Sequence, residues 1–171
     1  MQEVILVDEY DKEIGRMEKL RAHQEGVLHR AFSIFIFNRE GKLLLQRRAL
    51  NKYHSGGLWT NTCCSHPAPG EDLLSAAKHR LLNEMGFETD LRFLFSFTYK
   101  AAFPNGLIEH ELDHVFVGEY NGDFQLNPEE AMDYKWLSYH EVNKSVKDSA
   151  QDYTAWFLKI YDPVLKNHSV Y

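Results

Sequence analysis

The 171-residue chain has little cysteine, no long hydrophobic run and no excess of basic charge. Its only two cysteines, Cys63 and Cys64, stand side by side. Adjacent thiols cannot staple distant loops, so a disulfide scaffold is excluded and a reducing cytoplasm is expected. The longest apolar run, near residues 31–37, is far short of the ~20 residues a membrane span needs. Met1-Gln2-Glu3 shows no basic leader and the C-terminal residues no lipidation signal, so neither secretion nor anchoring is expected. Lys and Arg number 19 against 25 Asp and Glu, a formal charge of −6. A nucleic-acid groove wants a basic stripe. Only Arg47, Arg48 and Lys52 cluster here, which suits a small anion. The partner expected is therefore a small molecule, with no nucleic acid and no membrane.

What is present is globular. Hydrophobic residues make up 44% and charged residues 26%, enough to fold one domain over residues 1–171. Short strands are expected at residues 4–7 and 14–17, with a weak helical turn at 18–24. A hairpin is expected from 28–37 and 42–47, around the turn at 38–41. A loop follows at 51–57 and a short strand at 58–64. Pro67-Ala68-Pro69-Gly70 forces a loop. Leu73, Leu74, Ala77, Leu81 and Met85 then recur at helical spacing, and Gly86 stands where a C-terminal cap belongs. Two long strands (91–100 and 107–119), a short one (134–137) and two helices (139–146 and 153–165) complete the chain. This order favours a mixed-sheet α/β (α+β) sandwich over a doubly wound parallel sheet.

Nine histidines raise the question of metal or acid–base chemistry. In Leu107-Ile108-Glu109-His110-Glu111-Leu112-Asp113-His114, strand alternation puts Glu109, Glu111 and Asp113 on one face. Three like charges in a row need water or a cation to answer them. A solvated outer face and a metal or acid–base cluster are both compatible with the pattern. Cys64-Ser65-His66-Pro67, on a proline-fixed turn after a short strand, fits either a buried structural thiol or a metal-binding or nucleophilic one. His23 and His29 matter only if they converge with another ligand. Arg80 and Glu84, four apart on a helix, fit a surface ion pair.

Together these residues resemble the Nudix superfamily. Aligned on Gly86 and Phe87, its box G-x5-E-x7-R-E-U-x-E-E-x-G-U matches at Glu71, Glu84 and Gly86. Ser65, His79, Arg80 and Asn83 stand where the box has Gly, Arg, Glu and Glu. The missing acids count against diphosphate hydrolysis. This degenerate box looks like that of the type 1 isopentenyl-diphosphate isomerases, a Nudix-fold family. Arg47-Arg48-Ala49-Leu50, Leu58-Trp59-Thr60-Asn61, Glu109-His110-Glu111 and Tyr153-Thr154-Ala155-Trp156 recur in the matching order. The resemblance implies that His23, His29, His66, Glu109 and Glu111 bind one divalent metal, Mn²⁺, Mg²⁺ or Zn²⁺. It implies Cys64 and Glu111 as the catalytic pair, assisted by Tyr99. Glu84 would help hold Mg²⁺ on the substrate diphosphate, which Lys19, Arg48, Lys52 and Arg80 would grip. Trp156 would face the hydrocarbon. The substrate implied is isopentenyl diphosphate, turned over by a monomer or a homodimer.

Overall fold

The computed structural model describes residues 2–168. Nine strands form one mixed sheet: β1 (Glu3–Val7), β2 (Glu13–Glu18), β3 (His29–Phe37), β4 (Leu43–Arg48), β5 (Trp59–Thr60), β6 (Cys63–Ser65), β7 (Arg92–Ala102), β8 (Ile108–Glu119) and β9 (Ala131–Leu137). The helices are α1 (Lys19–Glu25), α2 (Leu73–Met85), α3 (Tyr139–Ser149) and α4 (Ala155–His168). This is the mixed-sheet sandwich the element order predicts.

β3 is the hub. It runs parallel to β8 from His29↔Glu111 to Phe37↔Glu119, and antiparallel to β6 through Ser33↔Cys64. The face of β3 and β8 carrying Phe35, Phe37, Val115 and Val117 packs beneath α4. The opposite face, with Phe32, Ile34, Ile36 and Phe116, packs beneath Ala76, Ala77, Leu81 and Met85 of α2. Followed toward the start of β3, the first face turns from apolar to polar: Ser33, Asp113, Glu111 and His29 lie along it, all buried. Side-chain alternation thus carries one wall from core into functional site.

The hairpin expected from β3 and β4 survives only at Phe37↔Leu43. Beyond that pair the strands part, because the segment holding β5 and β6 wedges between them. β5 pairs with β4 and β6 pairs with β3. The Thr62 hydroxyl accepts from Ile36 N–H at 3.0 Å and donates to the Leu44 carbonyl at 2.6 Å, serving two groups that a hairpin would have paired. The expected strand at 58–64 is accordingly two short pieces, while β9 begins three residues earlier than the sequence suggests.

The same wedge explains two of the sequence segments. Thr154 N–H donates to the Trp59 carbonyl at 3.0 Å, and its hydroxyl donates to Thr60 Oγ1 at 2.9 Å. Thr60 in turn donates to Asn61 Oδ1, whose amide donates to the Ile34 and Cys63 carbonyls. This chain of buried bonds fixes the start of α4, and with it Trp156, against the strand that bears Cys64.

α2 starts at Asp72, whose side chain accepts from Ser75 N–H at 3.0 Å, and stops at Gly86 in the left-handed region at φ +82°. A Cβ at Gly86 would run into the Gln125 carbonyl. Left-handed strain plus that overlap should make Gly86→Ala less stable by about 2–4 kcal/mol. Urea denaturation checks this; a loss under ~0.5 kcal/mol would mean that neither constraint operates.

Candidate active site

The carboxylate row of β8 is buried, so the solvated alternative is excluded. Glu109, Glu111 and Asp113 are each no more than 5% exposed. Register brings their answers into place. Tyr99 of β7 lies opposite Glu111 on one side, and His29 of β3 lies opposite it on the other. The Tyr99 hydroxyl meets both Glu109 Oε1 and Glu111 Oε1, sharing its one proton between them. Burial and these carboxylates push the Tyr99 phenol far above its ordinary value, so it remains a donor.

The histidines arrive from three separate elements. His23 of α1 donates Nδ1–H to the Lys19 carbonyl at 2.7 Å, and its Nε2 lies 3.7 Å from Glu109 Oε2. His29 donates Nδ1–H to the Val27 carbonyl at 2.9 Å and turns Nε2 to within 3.3 Å of Glu111 Oε2. His66, just past β6, places Nε2 at 2.5 Å from Glu111 Oε2. Backbone carbonyls thus hold two rings with their other nitrogens aimed inward, the arrangement that fixes imidazole tautomers in metal sites.

Charges in the cluster are strongly perturbed. Burial alone would raise the Glu111 carboxyl, but His66 and His29 outweigh it and hold Glu111 well below its ordinary value. Burial and Glu111 push Glu109 up, and the His23 and His54 imidazoles pull it back below. Asp113 goes the other way. Burial and the two glutamates outweigh the bond donated by Ser33 at 2.7 Å and push the Asp113 carboxyl well above its ordinary value. Burial lowers His66 to about 4, although Glu111 opposes the shift. At His29, Glu111 overcomes burial and the imidazole sits above 6.5.

His23, His29, His66 and Glu111 each offer a donor atom within 4.8 Å of the others, and His23, His54 and Glu109 form a second such group. The buried His29 Nε2 has no hydrogen-bond partner despite its nearness to Glu111. Inward-facing nitrogens, ionised carboxylates and an unpartnered donor fit a divalent cation. The five ligands implied by the resemblance thus fall in two overlapping groups that share His23. Glu109 turns instead to His54, a residue nothing in the sequence singled out. Cys64 and Glu84 lie outside both groups.

Cys64 of β6 borders a cavity of about 30 Å³ whose walls include Arg48, Tyr99, Glu111 and Trp156. Burial pushes the Cys64 thiol far up, while Arg48 is the neighbour that favours the thiolate. The buried site thus favours the Cys64 thiol over its thiolate. Cys63 points away into the core beneath α2. Trp156 is 2% exposed, with the Arg48 guanidinium 5.2 Å from its ring centre.

The basic residues form a separate nest beside the cavity. Lys19 is lowered by burial and then by Lys52 and Arg80, which marks the three as close neighbours. Arg80 Nε reaches Glu84 Oε2 at 2.5 Å, and Arg80 Nη2 reaches Glu130 Oε2 at 2.8 Å. Lys52 pairs with the same Glu130 oxygen. Glu84 is 3% exposed and also accepts from Gln46 Nε2 at 3.0 Å, so the expected surface pair with Arg80 is a largely buried one. Glu130 was not legible in the sequence, since it lies far along the chain from its partners.

Comparison with known proteins agrees with this geometry. A family model described as the NUDIX domain matches residues 27–157. A protein of Aromatoleum aromaticum named isopentenyl-diphosphate Delta-isomerase 2 is 50% identical over 168 residues, covering 98% of this chain and 89% of that one. A Serratia proteamaculans isopentenyl-diphosphate Delta-isomerase is 52% identical over 157 residues, covering 92% and 88%. Among solved structures, a Deinococcus radiodurans protein superposes with a TM-score of 0.76 at 18% identity, covering 98% of this chain and 99% of that one. The MutT protein of Methanosarcina mazei does so at 0.65 and 18%, covering 82% and 94%. At these identities the two structures attest the fold alone.

Metal ligands must be deprotonated, so binding a cation at this cluster should release protons. His66, near 4, is already neutral at pH 7 and contributes none, whereas His29, raised above 6.5, contributes. Metal affinity should therefore increase as pH rises from 6 to 8. Calorimetric titration in buffers of different ionisation enthalpy reads the release directly. Heats independent of buffer at pH 7 would contradict it.

Proposed function

Since the chain belongs to the isopentenyl-diphosphate Delta-isomerases, within the NUDIX domain family, we propose that Cys64 and Glu111 move the two protons by which it converts isopentenyl diphosphate to dimethylallyl diphosphate. The observation that carries this assignment is the single cavity whose walls include Cys64, Tyr99, Glu111, Arg48 and Trp156. The double bond shifts from C3–C4 to C2–C3. A proton is added at C4, leaving a tertiary cation at C3, and a proton is then lost from C2.

An unactivated alkene is a weak base, so this route needs a positioned acid, a base on the opposite face and little water. Glu111 and Cys64 fill those two roles. For Glu111 to give the first proton and Cys64 to take the second, the Cys64 thiol proton must first move to the ionised Glu111 carboxylate, and Arg48 is the cation that favours the thiolate left behind. Tyr99 hydrogen-bonds Glu111 and orients it. The π face of Trp156 steadies the cation. His23, His29, His66, Glu109 and Glu111 would hold a divalent metal, Mn²⁺, Mg²⁺ or Zn²⁺, whose positive charge would tune Glu111.

Lys19, Arg48, Lys52 and Arg80 grip the diphosphate, and Glu84 shares the Mg²⁺ that accompanies it. Arginine forks suit phosphate oxygens bidentately, while lysines serve as point charges. We assign the reaction to the cytoplasm, on the strength of two adjacent free thiols. Among the described residues, no helix is long and apolar enough to cross a membrane.

Proton NMR of isopentenyl diphosphate with the protein and Mg²⁺ in D₂O should show the dimethylallyl isomer carrying deuterium in its new methyl group. Released phosphate would point instead to a hydrolase. Cys64→Ala should lower turnover by about 10²–10⁴-fold with metal content unchanged; turnover near wild type would remove Cys64 from the chemistry. Glu84→Gln should raise the Mg²⁺ concentration needed for half-maximal rate by roughly tenfold. An unchanged Mg²⁺ dependence would show that Glu84 serves only to hold Arg80.

A further inference from the structure

His54 lies in the loop between β4 and β5, a polar stretch in which the sequence points only to Lys52. The loop closes tightly. Ser55 has φ +55° and Gly57 φ +79°, and a Cβ at Gly56 would meet the Leu50 carbonyl. This geometry turns the His54 ring inward, where its side chain is 2% exposed. The ring stacks on Phe103 at 4.4 Å and 10°, and meets Trp156 edge-on at 5.8 Å. Nδ1 is 3.0 Å from Ser55 Oγ, which leaves Nε2 to face the site.

Nε2 of His54 lies 2.7 Å from Glu109 Oε2 without the alignment of a hydrogen bond. His29 shows the same signature: a buried Nε2 at 3.3 Å from a Glu111 oxygen, unaligned, with Nδ1 engaged elsewhere. A nitrogen and a carboxylate oxygen that approach without bonding each other are placed as two donors sharing a third partner. His54 also falls within 4.8 Å of donor atoms of His23 and Glu109.

We propose that His54 is a further ligand of the divalent cation, raising the imidazoles at the site from three to four and binding from the side that faces Trp156. The inference rests on the metal assignment made above. The two donor groups meet at His23, whose Nδ1 is committed to the Lys19 carbonyl, so His23 has only one nitrogen to offer. One cation shared by both groups is therefore favoured over two. Four imidazoles would also move the site's preference from Mg²⁺, which seeks oxygen, toward nitrogen-binding transition ions.

The test uses the full chain, stripped with a chelator and reloaded with Mn²⁺. Pulsed electron paramagnetic resonance counts the imidazole nitrogens on the ion, and competition with a chelator measures its affinity. Wild type should show four imidazoles. His54→Phe keeps the stack on Phe103 but cannot ligate; it should show three and bind Mn²⁺ at least about tenfold more weakly. His54→Gly with added imidazole should recover the fourth nitrogen. Three imidazoles in wild type would overturn the proposal, even if His54→Phe weakened the metal, since His54 would then only position Glu109. If His54→Phe does not fold, by circular dichroism, His54→Asn takes its place with the same criteria. Four nitrogens on a protein that fails to turn over isopentenyl diphosphate would leave His54 a ligand and overturn the function instead.

Discussion

Three acidic side chains on one face of a buried strand impose the constraint around which the molecule is arranged. Removing a carboxylate from water costs several kcal/mol even after relaxation, and Glu109, Glu111 and Asp113 repel one another as well. The fold answers each differently. Asp113 is pushed toward its neutral form and accepts a bond from Ser33. Glu111 is held ionised by His29 and His66, and Glu109 by His23 and His54. Tyr99 stands between the two glutamates as a shared donor. One strand thus carries one carboxyl pushed toward its neutral form and two pulled toward their ionised forms at alternate positions, and a cation is the natural complement to the latter.

The neighbouring basic nest obeys the same electrostatics with opposite sign. Lys19, Lys52 and Arg80 repel one another, and Glu84 and Glu130 compensate from two different elements. A diphosphate proposed to bind there would meet cations already gathered. Arg48 stands between the two regions, with its guanidinium near Trp156 and its Nη2 donating to the His54 carbonyl at 3.2 Å. The basic nest, the Trp156 indole and the Cys64 and Glu111 side chains are therefore contiguous, as the proposed isoprenoid diphosphate would require. The wedge of β5 and β6 makes this possible, since it opens β3 from β4 and inserts Cys64 beside Ser33.

Much of this was legible in the residues. Asp72, Gly86 and the apolar spacing between them specify α2, because caps and helical periodicity act over a few residues. The alternation of Glu109, Glu111 and Asp113 on one face follows from strand geometry alone, and the Nudix-like segments pointed to the family. The splitting of β3 from β4 was not legible, because a local hairpin turn carries no record of a distant segment competing for the same backbone groups. His54 and Glu130 escaped for a related reason. Each lies in an irregular or distant stretch, and its partners are set by loop closure rather than by spacing.

The sequence by itself determined the mixed α/β class, the lack of a long apolar run, the carboxylate row and the side-by-side thiols. These depend on periodicity and composition, which are properties of near neighbours. Only the tertiary structure decided that the row is buried rather than solvated, that Glu109 turns to His54, and that Glu84 and Glu130 share Arg80. Burial and charge pairing depend on which strands lie side by side, and strand register is settled by packing across the whole chain.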